Sequence, residues 1–255
     1  MINPKFYPFY IALGLSVVFF IVYILLGNQG LILSLEPNES IGDISRWCER
    51  VSGGIFREPS NALSNIGFMI LGLLMFWFLG KDIKSSNSNQ FTGINSISIL
   101  YAGAALFLGP GSLLMHGTHT EWGEWADNLS MIMYIIIPCL LNIKEMGRWS
   151  LKIFFSSYFV IIFIYASSRW FFGSELGINL DLFGLSIGLW VISETLFRFW
   201  SPIFRWISGL IGFFVAAVFG IFPTEIFSNF NEYWWIILFW LSLIHISEPT
   251  RLRSL

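Results

Sequence analysis

Long apolar runs with almost no charge inside them recur along this chain, and only short polar links separate them. No other feature limits the fold as strongly. A segment surrounded by lipid must satisfy its own backbone N–H and C=O groups, which leaves helices and closed barrels. A helix needs about 20 mostly apolar residues to cross the hydrocarbon. Candidate spans are Tyr7–Leu26, Asn61–Leu79, Ile97–Met115, Asn128–Leu141, Leu151–Ser168, Leu180–Phe197 and Phe204–Phe222, and a further one starts near Tyr233. The runs are continuous rather than alternating, so helices are expected and barrel strands are not. Charged residues make up 12% of the 255, against about 25% in a soluble domain, which again points to an all-α, multi-pass membrane protein.

The links leave room for one domain. The first run is longer than a signal-peptide core and has no small-residue cleavage site, so it reads as a retained helix. Two cysteines, Cys48 and Cys139, make no disulfide framework, and Cys139 reads as a small buried residue. No basic tract points to nucleic acid, and the expected surroundings are membrane lipids. Lys5, Lys81, Lys84, Lys144, Arg148, Lys152, Arg198 and Arg205 fall on one side of the predicted spans. Positive residues favour the cytoplasm, which puts the N-terminus there and the links around Glu49 and Glu121 on the outer or luminal face.

The chain ends in LSLIHISEPTRLRSL. Residues Leu241–Arg251 match an in-frame translation of a transposase-based sequencing adaptor. Residues 241–255 are therefore expected not to be native, the last helix to be incomplete near Trp240, and His245 not to count as a ligand.

Two stretches carry polar chemistry. In GPGSLLMHGTHTEWGEWADNLSM, Ser112 and His116 are four residues apart and share a face if the stretch is helical, and Asp127 opens the next span. Imidazole and carboxylate suit zinc or an oriented water. Each alone reads as an interfacial polar residue, but three together at membrane depth are a candidate site. His119, three residues after His116, is a weaker candidate and more simply a loop histidine, Glu121 and Glu124 read as solvated loop carboxylates, and Gly109–Pro110–Gly111 as a local helix break or an ordinary kink. In RWCERVSGGIFREPSNALSN, the residues Glu49, Glu58, Asn61, Ser64 and Asn65 gather oxygen atoms at the outer end of the second span. Hard cations take six to eight such ligands, while helix capping by Ser60, Asn61 and Ser64 is the simpler account. Trp47 alone is an interfacial anchor. Glu194 lies four residues before Arg198, a spacing that fits a snorkelling pair.

Taken together, WCE…REPSNALSN and GPGSLLMH…WADNLSM resemble the alkaline ceramidase family, in particular its bacterial branch, within a superfamily of seven-helix zinc membrane hydrolases that includes the adiponectin receptors. The resemblance implies a seven-helix transmembrane bundle at residues 31–240, preceded by an extra helix at residues 1–30. It implies a zinc-dependent amidase acting on ceramide-like lipid amides and releasing a sphingoid base and a fatty acid. By that resemblance His116 is a zinc ligand, Asp127 the general base and then acid, and Ser112 a stabiliser of the oxyanion. It also implies a calcium site at Trp47, Glu49 and Glu58, with Asn61 and Ser64 in the same motif. The family's late His-x-x-x-His is absent, Arg46 stands where the family has Asp, and Glu49 and Glu58 are closer together than in the family. With one matched zinc ligand, the chain is expected to bind zinc poorly and to be inactive or nearly so. A non-catalytic receptor-like or structural membrane protein of the same superfamily is the alternative.

Overall fold

The computed structural model describes residues 3–37, 49–82, 89–172 and 182–198. Trp47, Cys48, the spans expected from Phe204 onward and the segment 241–255 lie outside the described residues.

Every regular element among the described residues is helical. A short 3-10 turn at Pro4–Phe6 leads into α1 (Tyr7–Asn28), followed by α2 (Pro59–Ser64), α3 (Ile66–Lys81), α4 (Ser96–Thr118), α5 (Glu121–Gly147), α6 (Leu151–Phe172) and α7 (Leu182–Arg198). Among the described residues, five stretches are long and apolar enough to cross a membrane: Pro4–Asn28, Pro59–Lys81, Ser96–Thr118, Glu121–Gly147 and Leu151–Phe172. The protein is therefore an all-α membrane protein.

Three differences from the sequence reading shape the site. The span expected over Asn61–Leu79 is two helices, interrupted at Asn65, whose side-chain amide donates to the Asn61 carbonyl at 2.8 Å. The twelve-residue link expected between His116 and Asp127 shrinks to His119 and Thr120, because helix continues from both sides. His119 closes α4 in the left-handed region (φ 52°, ψ 30°), and the Thr120 hydroxyl accepts the Gly123 N–H at 3.2 Å as the N-cap of α5. A side-chain cap and a left-handed C-cap give both helix ends partners for their orphan backbone groups. Finally, Gly109–Pro110–Gly111 does not break α4. Its two glycines are contact points instead. A Cβ on Gly109 would lie 2.2 Å from Met69 Cγ and 2.9 Å from the Asn65 carbonyl oxygen, and one on Gly111 would lie 2.6 Å from Ser130 Oγ. Small residues of this kind let membrane helices approach closely, where packing rather than water drives association.

α4 packs between α3 and α5, and α5 also carries α6 and α7, so α5 is the central helix. The core where α4, α5 and α6 meet includes Ile97, Ala104, Ile136, Ile137, Leu140, Leu141, Phe154 and Tyr158. Polar links tie the outer helices to α5. Tyr158 Oη donates to the Met133 carbonyl at 3.1 Å, and Trp125 Nε1 to the Ala166 carbonyl at 2.9 Å. Arg169 Nη2 meets Glu124 Oε1 at 2.9 Å, which makes Glu124 an interhelical ion-pair partner rather than a solvated loop carboxylate. Asn142 Nδ2 donates to Glu194 Oε2 at 2.8 Å, so Glu194 has an interhelical bond that its spacing from Arg198 did not reveal.

Candidate functional site

The two polar stretches converge at one end of the bundle, where α4 ends, α5 begins and the segment before α2 lies across them. The segment is fixed to α4 through its backbone: the Arg57 N–H donates to the Gly117 carbonyl at 3.1 Å and the Glu58 N–H to the His116 carbonyl at 3.0 Å. Glu58 is thereby aimed at the histidines. It is fully buried, with Oε2 at 2.5 Å from His116 Nδ1 and Oε1 at 2.9 Å from His119 Nε2. Asn61 Nδ2, on the first turn of α2, also donates to Glu58 Oε2 at 2.9 Å. A buried carboxylate needs such partners, since a charge removed from water without them costs several kcal/mol, of order five.

Glu49 has a different task. Its Oε1 accepts the Ser60 N–H at 2.7 Å and its Oε2 the Asn61 N–H at 2.8 Å, so it is the anionic cap of α2. The cap therefore comes from ten residues upstream and not from Ser60. Burial alone raises the Glu49 pKa, but the backbone N–H groups of Asn61 and Ser60, the Ser60 hydroxyl and nearby His116 outweigh it and hold the carboxyl below its ordinary range. Ser64 Oγ donates to the Asn61 carbonyl at 2.7 Å, which closes the turn.

On the other side of His116, the Ser112 side chain lies beside the Asp127 carboxyl across the α4–α5 contact, and His116 lies within electrostatic reach of both Asp127 and Glu49. The structure thus brings Ser112, His116 and Asp127 together, as their sequence spacing led us to expect. It also joins Glu58 and Asn61 to them, so the two stretches form one site. His119 is the residue that sequence reasoning undervalued: it sits in the short link between α4 and α5, but it is buried there. No sequence signal marked it, because its partner Glu58 lies 61 positions away.

This donor set bears on the implied metals. A catalytic zinc takes three protein ligands, and the chain contains only three histidines, at 116, 119 and 245. His119 faces Glu58, and residue 245 lies outside the described residues. Among the described residues, no group of three or more His, Cys, Asp or Glu is placed to hold a metal ion. The described residues therefore do not make up a zinc site. Calcium fits no better in this conformation, since both Glu49 oxygens accept backbone N–H groups and both Glu58 oxygens face imidazoles.

Residues 44–197, more than half of the chain, match the model of a protein family described as Ceramidase. No curated protein and no solved structure matches the chain. The matched region begins after α1 and contains every residue of the site described above.

Proposed function

Since this chain belongs to the ceramidase family, whose chemistry is hydrolysis of ceramide-type amides, we propose that the cluster of Ser112, His116 and Asp127 is its hydrolytic site. The substrate is a lipid amide of ceramide type, held with its acyl chain among the helices and its amide at the polar end of the bundle. The N-terminus lies in the cytoplasm and the site faces the outer or luminal side, in keeping with the distribution of Lys and Arg. The observation that carries the reading is the Ser112–Asp127–His116 juxtaposition inside the family match.

Asp127 is the group suited to take a proton from the attacking water and return it to the departing amine, a role worth about 10²–10⁴ in rate. Ser112, beside Asp127, is placed to donate its hydroxyl to the developing oxyanion. His116 is held by Glu58 through Nδ1, a carboxylate–histidine contact that fixes the orientation of its ring. Because the remaining ligands are not completed by the residues described, no step is routed through the metal. Calcium at Trp47, Glu49 and Glu58 would share these carboxylates with the donors they already hold.

The test is release of fatty acid from a ceramide by the purified chain in mixed micelles, beside Asp127→Asn and His116→Ala, with zinc content measured on the same samples. The expected result is slow turnover that falls by about a hundredfold or more in Asp127→Asn, with zinc well below one per chain. Turnover unchanged in both variants would overturn the assignment of the site. Stoichiometric zinc would overturn the ligand argument.

A further inference from the structure

Helix α1 lies outside the family match, which begins at residue 44, and a helix of that kind needs no role beyond anchoring. Its outer end is built differently. Tyr23 is 3% exposed, and its hydroxyl donates to the Ile55 carbonyl at 3.2 Å. Its ring stacks on Phe56, with centroids 5.0 Å apart and planes 10° from parallel. On the other side the same ring fills the space that Gly117 leaves open, where a Cβ would lie 2.2 Å from Tyr23 Oη. One turn further along α1, Gly27 admits Ile55, with a would-be Cβ 2.3 Å from Ile55 Cγ2. Just beyond α1, the Leu35 carbonyl accepts Nη2 of the buried Arg57.

Residues 55–58 therefore run between α1 and the last turn of α4. Ile55, Phe56 and Arg57 are held from the α1 side, and the next residue is Glu58. The backbone bonds from Arg57 and Glu58 to Gly117 and His116 face the α4 side. Two walls fix a segment more closely than one, and the position of Glu58 sets that of His116. Helix α6, for comparison, presents Phe159, Val160, Phe163 and Ile164 outward and reaches α5 mainly through its core face.

We infer that α1 is a working part of the site in this protein, with Tyr23 a positioning residue that braces residues 55–58 and through Glu58 aligns His116. This rests on the reading of His116 as a site residue. The bracing itself rests only on the contacts of Tyr23, Gly27 and Gly117.

Two full-length variants test it. Tyr23→Phe keeps the ring stack and loses the hydroxyl, while Tyr23→Ala loses both. Hydrogen exchange in detergent micelles should quicken by about tenfold or more at the Arg57 and Glu58 amides in Tyr23→Ala, and by less in Tyr23→Phe, with the α5 and α6 amides unchanged. In ceramide hydrolysis, kcat should fall at constant KM in Tyr23→Ala, and Tyr23→Phe should recover part of it. Unchanged exchange at residues 57 and 58 overturns the bracing, as does an increase spread evenly over α5 and α6. Faster exchange with kcat unchanged overturns the positioning role. A parent chain that releases no fatty acid at all counts against the hydrolase reading, and the exchange measurement still decides whether α1 braces the segment.

Discussion

Replacing Glu58 tests the heart of the site. The carboxylate is fully buried and has three partners, His116 Nδ1 at 2.5 Å, His119 Nε2 at 2.9 Å and Asn61 Nδ2 at 2.9 Å. Glu58→Gln keeps the volume but places an NH2 where one oxygen stood, so one imidazole contact turns from attraction to competition. A hydrogen bond to a charged group contributes about 1.5–3 kcal/mol, and one such contact is lost outright. Glu58→Ala removes all three and leaves a void, and breaking a buried pair costs about 3–5 kcal/mol. The expected losses are about 2 kcal/mol for Gln and about 3 kcal/mol for Ala, the latter roughly a 150-fold change in the folded-to-unfolded ratio. Reversible unfolding by denaturant in mixed micelles, followed by tryptophan fluorescence, reads both. If Glu58→Ala unfolds at the same midpoint as the parent, the Glu58–histidine cluster does not hold this end of the bundle and the reasoning fails.

Further expectations follow from the same contacts. Gly111→Ala puts a methyl 2.6 Å from Ser130 Oγ and 2.8 Å from the Ala126 carbonyl oxygen. It should destabilise α4–α5 packing by about 1–3 kcal/mol, and Ser130→Ala should not rescue it, because the backbone oxygen remains; full rescue in a thermal melt would count against the close approach. Arg169→Gln opens a pair that is partly exposed on both sides, so its cost should stay below about 1 kcal/mol and shrink with salt. The Glu49 carboxyl is held below its ordinary range, so its contribution to stability is fully present above the ordinary carboxylate pKa and is lost as pH falls through the lowered value. The acid limb of a stability-against-pH curve should therefore flatten in Glu49→Gln, and an unchanged limb would show that the cap of α2 is not what acid removes.

Much of the architecture is legible in the sequence because membrane-spanning helices announce themselves locally. Tyr7–Leu26, Ile97–Met115 and Leu151–Ser168 each fall inside an observed helix, with ends that differ by a few residues. The errors occur where polar residues extend a helix past its apolar run. GTHTEWGEW reads as a loop by hydropathy, yet Thr120 caps α5 and Glu124 is helical and paired with Arg169. Pro110 between two glycines reads as a break, yet their small size serves contacts with α3 and α5 that no local rule contains.

The site divides in the same way. Ser112 and His116 are four residues apart on one helix, and a hairpin must return Asp127 beside them, so sequence spacing alone was sufficient to group these three. Glu58 is 58 positions from His116 and 61 from His119, and nothing local says that it meets either. Only the packing of α2 on α4, and the backbone bonds from residues 57 and 58 to α4, decide that contact. Sequence by itself determined which residues can sit in lipid and which of them can share a helix face, since both depend on composition and a fixed helical period. Tertiary structure decided that Glu49 caps a helix, that Glu58 is spent on two histidines and that the first helix packs on Ile55, Phe56 and Gly117. Those outcomes turn on distances between segments far apart in the chain, which no local rule of composition or spacing contains.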